Sequence, residues 1–339
     1  MKAFTIQEKF GLDSLKPTTL PDPTPGSGEV VVRVRAASLN YRDLMMVTGL
    51  YNPKQPLPLI PLSNGAGEVA AVGEGVTRVK VGDRVAGIFT QAYLDGAYDP
   101  NYWRTSTLGG PLPGMLAEYA LLSEEGVVPI PEHLSFEEAA TLPCAAVTAW
   151  NGLFVAGNLK AGETVLVQGT GGVSLFALQF ARMAGAEVIA TSSSDAKLAR
   201  ALELGASHSV NYKTTPEWGN AVRELTGKVG VDHVIEVGGA GTLPQSFQAV
   251  RDGGHIAVIG VLAAGAPDIN PTWVLRKALR LTGILVGSRK MFQDMNRAIA
   301  LNGLRPIIDR VFEFDQAPEA LAHLQSGSHF GKVVIRIGD

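Results

Sequence analysis

Three glycines, Gly169, Gly171 and Gly172, follow directly on a short β-branched run, Thr164–Gln168. Immediately after them Val173, Phe176, Ala177, Phe180, Ala181 and Ala184 recur at three- and four-residue spacing, the mark of a helix with one apolar stripe. Residues 187–191 then read as a second buried strand. Strand, glycine turn, helix and strand together place free backbone N–H groups at a helix N-terminus. Those groups and the macrodipole both favour an anion, so the unit suits a dinucleotide pyrophosphate. The spacing matches G-x-G-x-x-G except at its last position, Ser174, where close helix–strand packing needs a small residue. The plainer reading is a glycine loop that only turns the chain. The flanking strand and helix argue against it.

A second group lies about twenty residues on, at the end of the second strand, where an acid would bind ribose hydroxyls and repel a 2′-phosphate. Here the run is Thr191-Ser192-Ser193-Ser194, with no acid before Asp195. The hydroxyls of Ser192 and Ser193 can donate to a phosphate and Lys197 can add charge, so NADP(H) is preferred over NAD(H). Ser194 can serve as a helix N-cap at the same time.

The chain that positions these groups has 339 residues, enough for about two domains. A net charge of -3 gives no basis for a nucleic-acid partner. A single cysteine, Cys144, rules out an intramolecular disulfide and points to a reducing, cytoplasmic setting. The first twelve residues lack an apolar core of signal-peptide length, and no run approaches eighteen apolar residues, so no membrane span is expected. The first part is rich in short strands and turns: residues 3–6, 29–37, 63–72, 84–89 and 117–122, with residues 17–28 and 53–61 as proline-rich loop. Residues 90–113 form a long connection with Tyr93, Tyr98, Tyr102 and Trp103, either a lid or a loop packed to the body by its aromatics. Ser135 and Glu138 form a capping box, and residues 142–158 read as helix. After the glycine turn, strands and helices alternate through residues 195–286, which implies a doubly wound parallel sheet. The expected elements there are helices at 195–204, 216–226 and 241–250, and strands at 207–210, 232–237, 255–261 and 279–286. Residues 271–278 are a short helix; 291–302 and 317–326 read as helices, and 311–314 and 332–337 as strands returning to the first part.

Asn40-Tyr41-Arg42-Asp43, Gly65-Ala66-Gly67, V-K-V-G-D-R-V at 79–85, the glycine turn and Gly331-Lys332-Val333-Val334 stand in an order that resembles the medium-chain dehydrogenase/reductase superfamily along essentially the whole chain. The resemblance implies a GroES-like, partly open β-barrel catalytic domain from residues 1–124 and 287–339. Between those segments it implies a Rossmann domain of residues 125–286, with the active site in the cleft. It also implies a homo-oligomer, dimer or tetramer, joined through the strand near 281–286. Thr148 is expected toward the nicotinamide, Gly169, Gly171, Gly172 and Val173 at the pyrophosphate, and Val237 and Gly238 near the adenosine ribose. Val261, Gly287 and Ser288 are expected near the nicotinamide, with Phe330 and Lys332 closing the cleft. Lys197 and Tyr212, fifteen residues apart, have the spacing that flanks the adenosine phosphate in quinone oxidoreductases.

Zinc-dependent members of the superfamily hold their metal with cysteine, histidine and cysteine, helped by a glutamate. Those positions are Asn40, Ser63, Cys144 and Asn64 here, which is not a zinc set, and no zinc is expected. Cys144 reads as a small buried residue. The Asn-Tyr-x-Asp arrangement resembles the zinc-independent quinone oxidoreductase and enone reductase branch. Asn40 and Tyr41 are then the candidate catalytic donors to a developing oxyanion, unless they only brace the loop. The expected partner is a small electrophile. Alternatives are a zinc-type alcohol dehydrogenase with atypical ligands and a non-catalytic NADPH-binding sensor.

Overall fold

Thr164–Gln168 is the pivot of a parallel sheet, and its neighbours on either side explain why its centre, Val165, Leu166 and Val167, is apolar and fully buried. The structure is a computed structural model that describes residues 1–260, 262 and 270–338. It divides into two units, Met1–Val147 with Gly287–Asp339, and Thr148–Val286. Residues 125–147, expected with the Rossmann domain, therefore sit with the first unit, where Val127–Pro129 pairs with Arg84–Gly87.

Among the described residues the second unit's sheet runs His208–Asn211, Glu187–Ser192, Thr164–Gln168, Val231–Glu236, Val250–Val258, Arg280–Gly283. Every neighbouring pair is parallel. Chain order reverses between Thr164–Gln168 and Val231–Glu236, the switch point beside which ligands bind in doubly wound sheets. The apolar stripe of Gly172–Met183 is buried through Leu175, Phe176, Phe180 and Ala181. Residues 142–158 are not one regular helix. They form a widened, π-type stretch Leu142–Ala146, an α-helical Val147–Trp150 and a second π-type stretch Asn151–Val155. The strand expected at 255–261 starts earlier, at Val250, and Val261 lies outside the described residues.

His255 is fully buried in that strand, with Nε2 3.2 Å from Thr282 Oγ1. Burial, with His233 and Arg280 nearby, holds its pKa down to about 4. Between pH 6.5 and 4 the unfolded chain therefore binds a proton that the folded chain refuses, and stability falls as the pH drops through that window. The expected loss at pH 4 is about 3 kcal/mol. In thermal melts wild type should lose more stability between pH 7 and pH 4 than His255→Gln does, since the variant has no proton to take up at this site.

In the first unit Glu29–Ser38 pairs with Lys332–Arg336, Asn64–Val72 and Tyr119–Ser123, and Lys332–Arg336 pairs onward with Ile308–Phe312. The C-terminal strands thus return to the N-terminal segment, as a GroES-like barrel requires. Val30, Val32, Val34, Leu116, Val333 and Ile335 lie in its core. Residues 17–19, expected as loop, belong to the strand Leu15–Thr19, which among the described residues pairs with Lys2–Ile6 alone. Pro17 is tolerated there because an edge strand need not donate on both sides. Two short helices, Tyr41–Val47 and Pro100–Ser106, lie in segments that the sequence left unassigned.

Candidate functional site

In the second unit the glycine turn leaves Thr164–Gln168 with Gly169 at φ +69°, a left-handed conformation that only glycine adopts cheaply. Gly171 is the N-cap of the helix Gly172–Met183 and supplies no side-chain cap. A Cβ added at Gly169 or Gly171 would meet none of the described residues within 4 Å. Ser174, in place of the third glycine, donates from Oγ to Gln168 O at 2.6 Å and ties helix to strand.

The serine run lies where Glu187–Ser192 ends. Ser192 is buried; its Oγ accepts from Ser194 N at 3.3 Å and its carbonyl from Tyr212 N at 3.1 Å. Ser194 caps the helix Asp195–Glu203 by accepting from Lys197 N, and Asp195 accepts from Asn211 Nδ2 at 2.7 Å. Ser192, Ser193, Lys197 and Tyr212 therefore come together at one edge of the unit.

Glu236 ends the strand Val231–Glu236 and is fully buried. Its Oε1 accepts from Gly238 N and Gly239 N, both at 2.9 Å, and from Thr242 Oγ1. Its Oε2 accepts from Gln168 Nε2 at 2.7 Å and from Ser246 Oγ. This carboxylate ties the loop that begins at Val237 and Gly238 to the residue preceding the glycine turn. A Cβ on Gly238 would fall 2.2 Å from Thr242 Oγ1. The sequence reading passed over Glu236, although an acid closing an apolar strand before V-G-G was a signal. Thr148 is buried within the helical segment Val147–Trp150.

In the first unit Asn40 is the N-cap of Tyr41–Val47. Lys332 Nζ donates to Asn40 Oδ1 at 2.7 Å and to Leu39 O. Asn40 Nδ2 donates to Ser63 Oγ at 3.2 Å, and Ser63 Oγ donates to Asp43 Oδ1 at 2.9 Å. Asp43 also accepts from Asn40 N at 2.9 Å and Ser63 N at 3.1 Å. Burial pushes the Asp43 carboxyl up, against the pull of Arg42, Asn40, Ser63 and Lys332. Burial pushes Lys332 down to about 8, with Cys144 and Asp43 opposing. Cys144, expected buried, is only partly so. Tyr41 is 45% exposed, and Phe330 is buried, its N donating to Asp309 Oδ1 at 2.9 Å. Ser288 caps the helix Arg289–Asn302. Asn40 and Lys332 are thus in direct contact, while Tyr41, next in the chain, is nearly half exposed.

The aromatic loop packs onto the same unit. Trp103 Nε1 donates to Tyr51 Oη at 3.1 Å and its ring lies 5.1 Å from Phe89. Arg42 sits over both Tyr51 and Phe89 and donates to the carbonyls of Leu108 and Gly110. A cavity of about 300 Å³ opens among Arg42, Tyr51, Gln55, Trp103 and Arg104.

The sequence profile described as alcohol dehydrogenase GroES-like domain matches residues 26–132, and that described as zinc-binding dehydrogenase matches residues 172–301. A zinc-type alcohol dehydrogenase-like protein of Schizosaccharomyces pombe is 48% identical over 97% of each chain. Human quinone oxidoreductase is 28% identical over 99% of this chain and 97% of its own. A solved structure described as an NAD-dependent alcohol dehydrogenase is 35% identical, superposes with a TM-score of 0.91 and is covered, like this chain, in full. A mycobacterial protein complexed with NADPH is 26% identical over 99% of each chain, with a TM-score of 0.83. With the 3-2-1-4-5-6 sheet, the glycine turn and the GroES-like barrel, these matches make the chain an oxidoreductase of the medium-chain dehydrogenase/reductase superfamily.

Proposed function

We propose that this oxidoreductase reduces a quinone or an α,β-unsaturated carbonyl with NADPH and without zinc. The observation that carries the reading is the bonding of Asn40 and Ser63. A catalytic zinc needs three thiolate, imidazole or carboxylate donors. Asn40 is instead an amide engaged at both ends, and Ser63 a hydroxyl that gives its proton to Asp43. Among the described residues no three His, Cys, Asp or Glu side chains gather as a metal site. The donor set does not fit the metal, so the side chains themselves must serve the acceptor.

Gly169, Gly171, Gly172 and Val173 would hold the pyrophosphate, with Ser192, Ser193, Lys197 and Tyr212 at the adenosine phosphate and Val237 and Gly238 at the ribose. Thr148, Gly287, Ser288 and Phe330 would serve the nicotinamide half. NADPH, when bound, supplies a hydride. A carboxamide has two N–H groups, and Asn40 uses one on Ser63. The other, with the Tyr41 hydroxyl, is offered to the oxygen on which charge gathers. Conjugation in a quinone or enone spreads that charge, so oriented hydrogen bonds suffice where an unactivated alcohol would call for a Lewis acid. The NADPH complex and the quinone oxidoreductase among the relatives support this reading. The NAD-dependent relative favours NADH as the second choice. The sheet-edge strand Arg280–Gly283 is the proposed contact of a homo-oligomer.

The test is oxidation of NADPH and NADH by the purified protein against an ortho-quinone and a short enone, with and without a chelator. Chelator-insensitive turnover with NADPH at least tenfold above NADH is expected. Loss of activity with chelator would overturn the zinc-free reading. Tight NADPH binding without turnover would favour a sensor.

A further inference from the structure

We propose that Lys332 is a positioning residue for Asn40, its ammonium fixing which way round the carboxamide sits and polarising the N–H groups at its other end. The inference rests on the reading of Asn40 as a donor to the acceptor's oxygen. A carboxamide turned by half a revolution exchanges oxygen for NH₂ with almost no change in shape, so only its partners decide its orientation. At one end the Lys332 ammonium, 2.7 Å away, tolerates an acceptor and repels an NH₂. At the other end Ser63 Oγ has committed its proton to Asp43 and can only accept. Both ends select the same orientation.

Every bond in the series Lys332, Asn40, Ser63, Asp43 runs in one sense, from cation to carboxylate. Bonds so aligned polarise one another, more so in a buried setting. Lys332 is 3% exposed, and Leu39 O, between the strand Glu29–Ser38 and the helix Tyr41–Val47, accepts from its ammonium. A buried lysine costs desolvation that an apolar residue of like volume would avoid. Its bonds to Asn40 Oδ1 and Leu39 O offset part of that cost. The groups that face it are Asp43 on the Tyr41–Val47 helix and Cys144 on the Leu142–Ala146 stretch, with Arg42 beyond Asp43. As the ammonium is held near a pKa of about 8, the polarisation should fade above that pH.

The experiment compares Lys332→Met, Lys332→Arg, Asn40→Ala and the Lys332→Met/Asn40→Ala double variant in the full-length protein. It follows steady-state kinetics with NADPH and the better acceptor from pH 6 to 10, alongside NADPH titration by fluorescence. Lys332→Met should lower kcat by about 10- to 100-fold, with the NADPH Kd within about twofold of wild type. It should remove the fall in kcat/KM above pH 8 and add little to Asn40→Ala, and Lys332→Arg should recover part of the rate. Wild-type kcat and pH profile in Lys332→Met, beside a slow Asn40→Ala, would overturn this inference alone. Wild-type kcat in both single variants would overturn the reading of Asn40, and this inference with it. If Lys332→Met does not fold, an alkaline limb that persists in Asn40→Ala overturns it. If the wild type turns over neither acceptor, the proposed reaction has failed. The same double-mutant cycle read by thermal unfolding still decides the coupling, additive effects overturning it.

Discussion

Glu236→Ala should cost about 3–5 kcal/mol of stability and weaken NADPH binding about tenfold. Five donors converge on this buried carboxylate: the amides of Gly238 and Gly239, Thr242, Gln168 and Ser246. The two hydroxyls can rotate to other acceptors, but the two backbone N–H groups and the Gln168 amide cannot. Each buried donor left alone costs about 1–3 kcal/mol. Gly238 N also has Gln168 Oε1 at 3.3 Å, too long to replace the lost bond in full. The loss of affinity follows because Gln168 precedes Gly169 directly and Gly238 opens the adjoining loop. Slack in either spreads the N–H groups proposed to face the cofactor. Glu236→Gln keeps the shape but turns an NH₂ toward one set of donors, and should cost roughly half as much. Urea unfolding followed by NADPH titration on the folded variant measures both. An unchanged unfolding midpoint in Glu236→Ala would show that the network does not hold the loops.

The sequence made the parallel sheet legible because its central strands, Thr164–Gln168, Glu187–Ser192 and Val231–Glu236, are mostly buried and read as short apolar runs between turns. Thr164–Gln168 and the stripe of Gly172–Met183 needed only local pattern. What escaped depended on partners far away in the chain. Leu15–Thr19 is a strand because Lys2–Ile6 pairs with it, and Pro17 argues against a strand everywhere except at such an edge. The helix Tyr41–Val47 is short and begins at polar residues whose capping is visible only with Asp43 in place. The same holds for the site. Asn40, Ser63 and Asp43 could be picked out singly, but the contact of Asn40 with Lys332 spans 292 positions and no spacing rule reaches that far. The aromatics of residues 90–113 left two readings open. The structure shows Trp103 packed against Phe89 and bonded to Tyr51 of its own unit.

Ser192→Asp combined with Lys197→Ala should lower kcat/KM for NADPH by about 100-fold and leave that for NADH within a few-fold of wild type. A like charge set against a phosphate costs several kcal/mol in a partly buried place, and about 2.7 kcal/mol is a hundredfold. The geometry makes the exchange feasible. Ser192 Oγ accepts from Ser194 N, a role that a carboxylate fills as well, so the helix Asp195–Glu203 keeps its entry. Asp195 is bonded to Asn211 Nδ2 at 2.7 Å and remains turned toward it in the variant. Tyr212, half exposed and held through its backbone to Ser192, keeps its place in the variant. Kinetics with both cofactors at fixed acceptor, together with their dissociation constants, separate the outcomes. If NADPH loses its advantage only through kcat, the change has disturbed orientation rather than recognition. If the ratio of the two cofactors does not move, the 2′-phosphate is not read at Ser192 and Lys197. A wild type that already prefers NADH would show that hydroxyls at the end of this strand bind a ribose as readily as they would a phosphate.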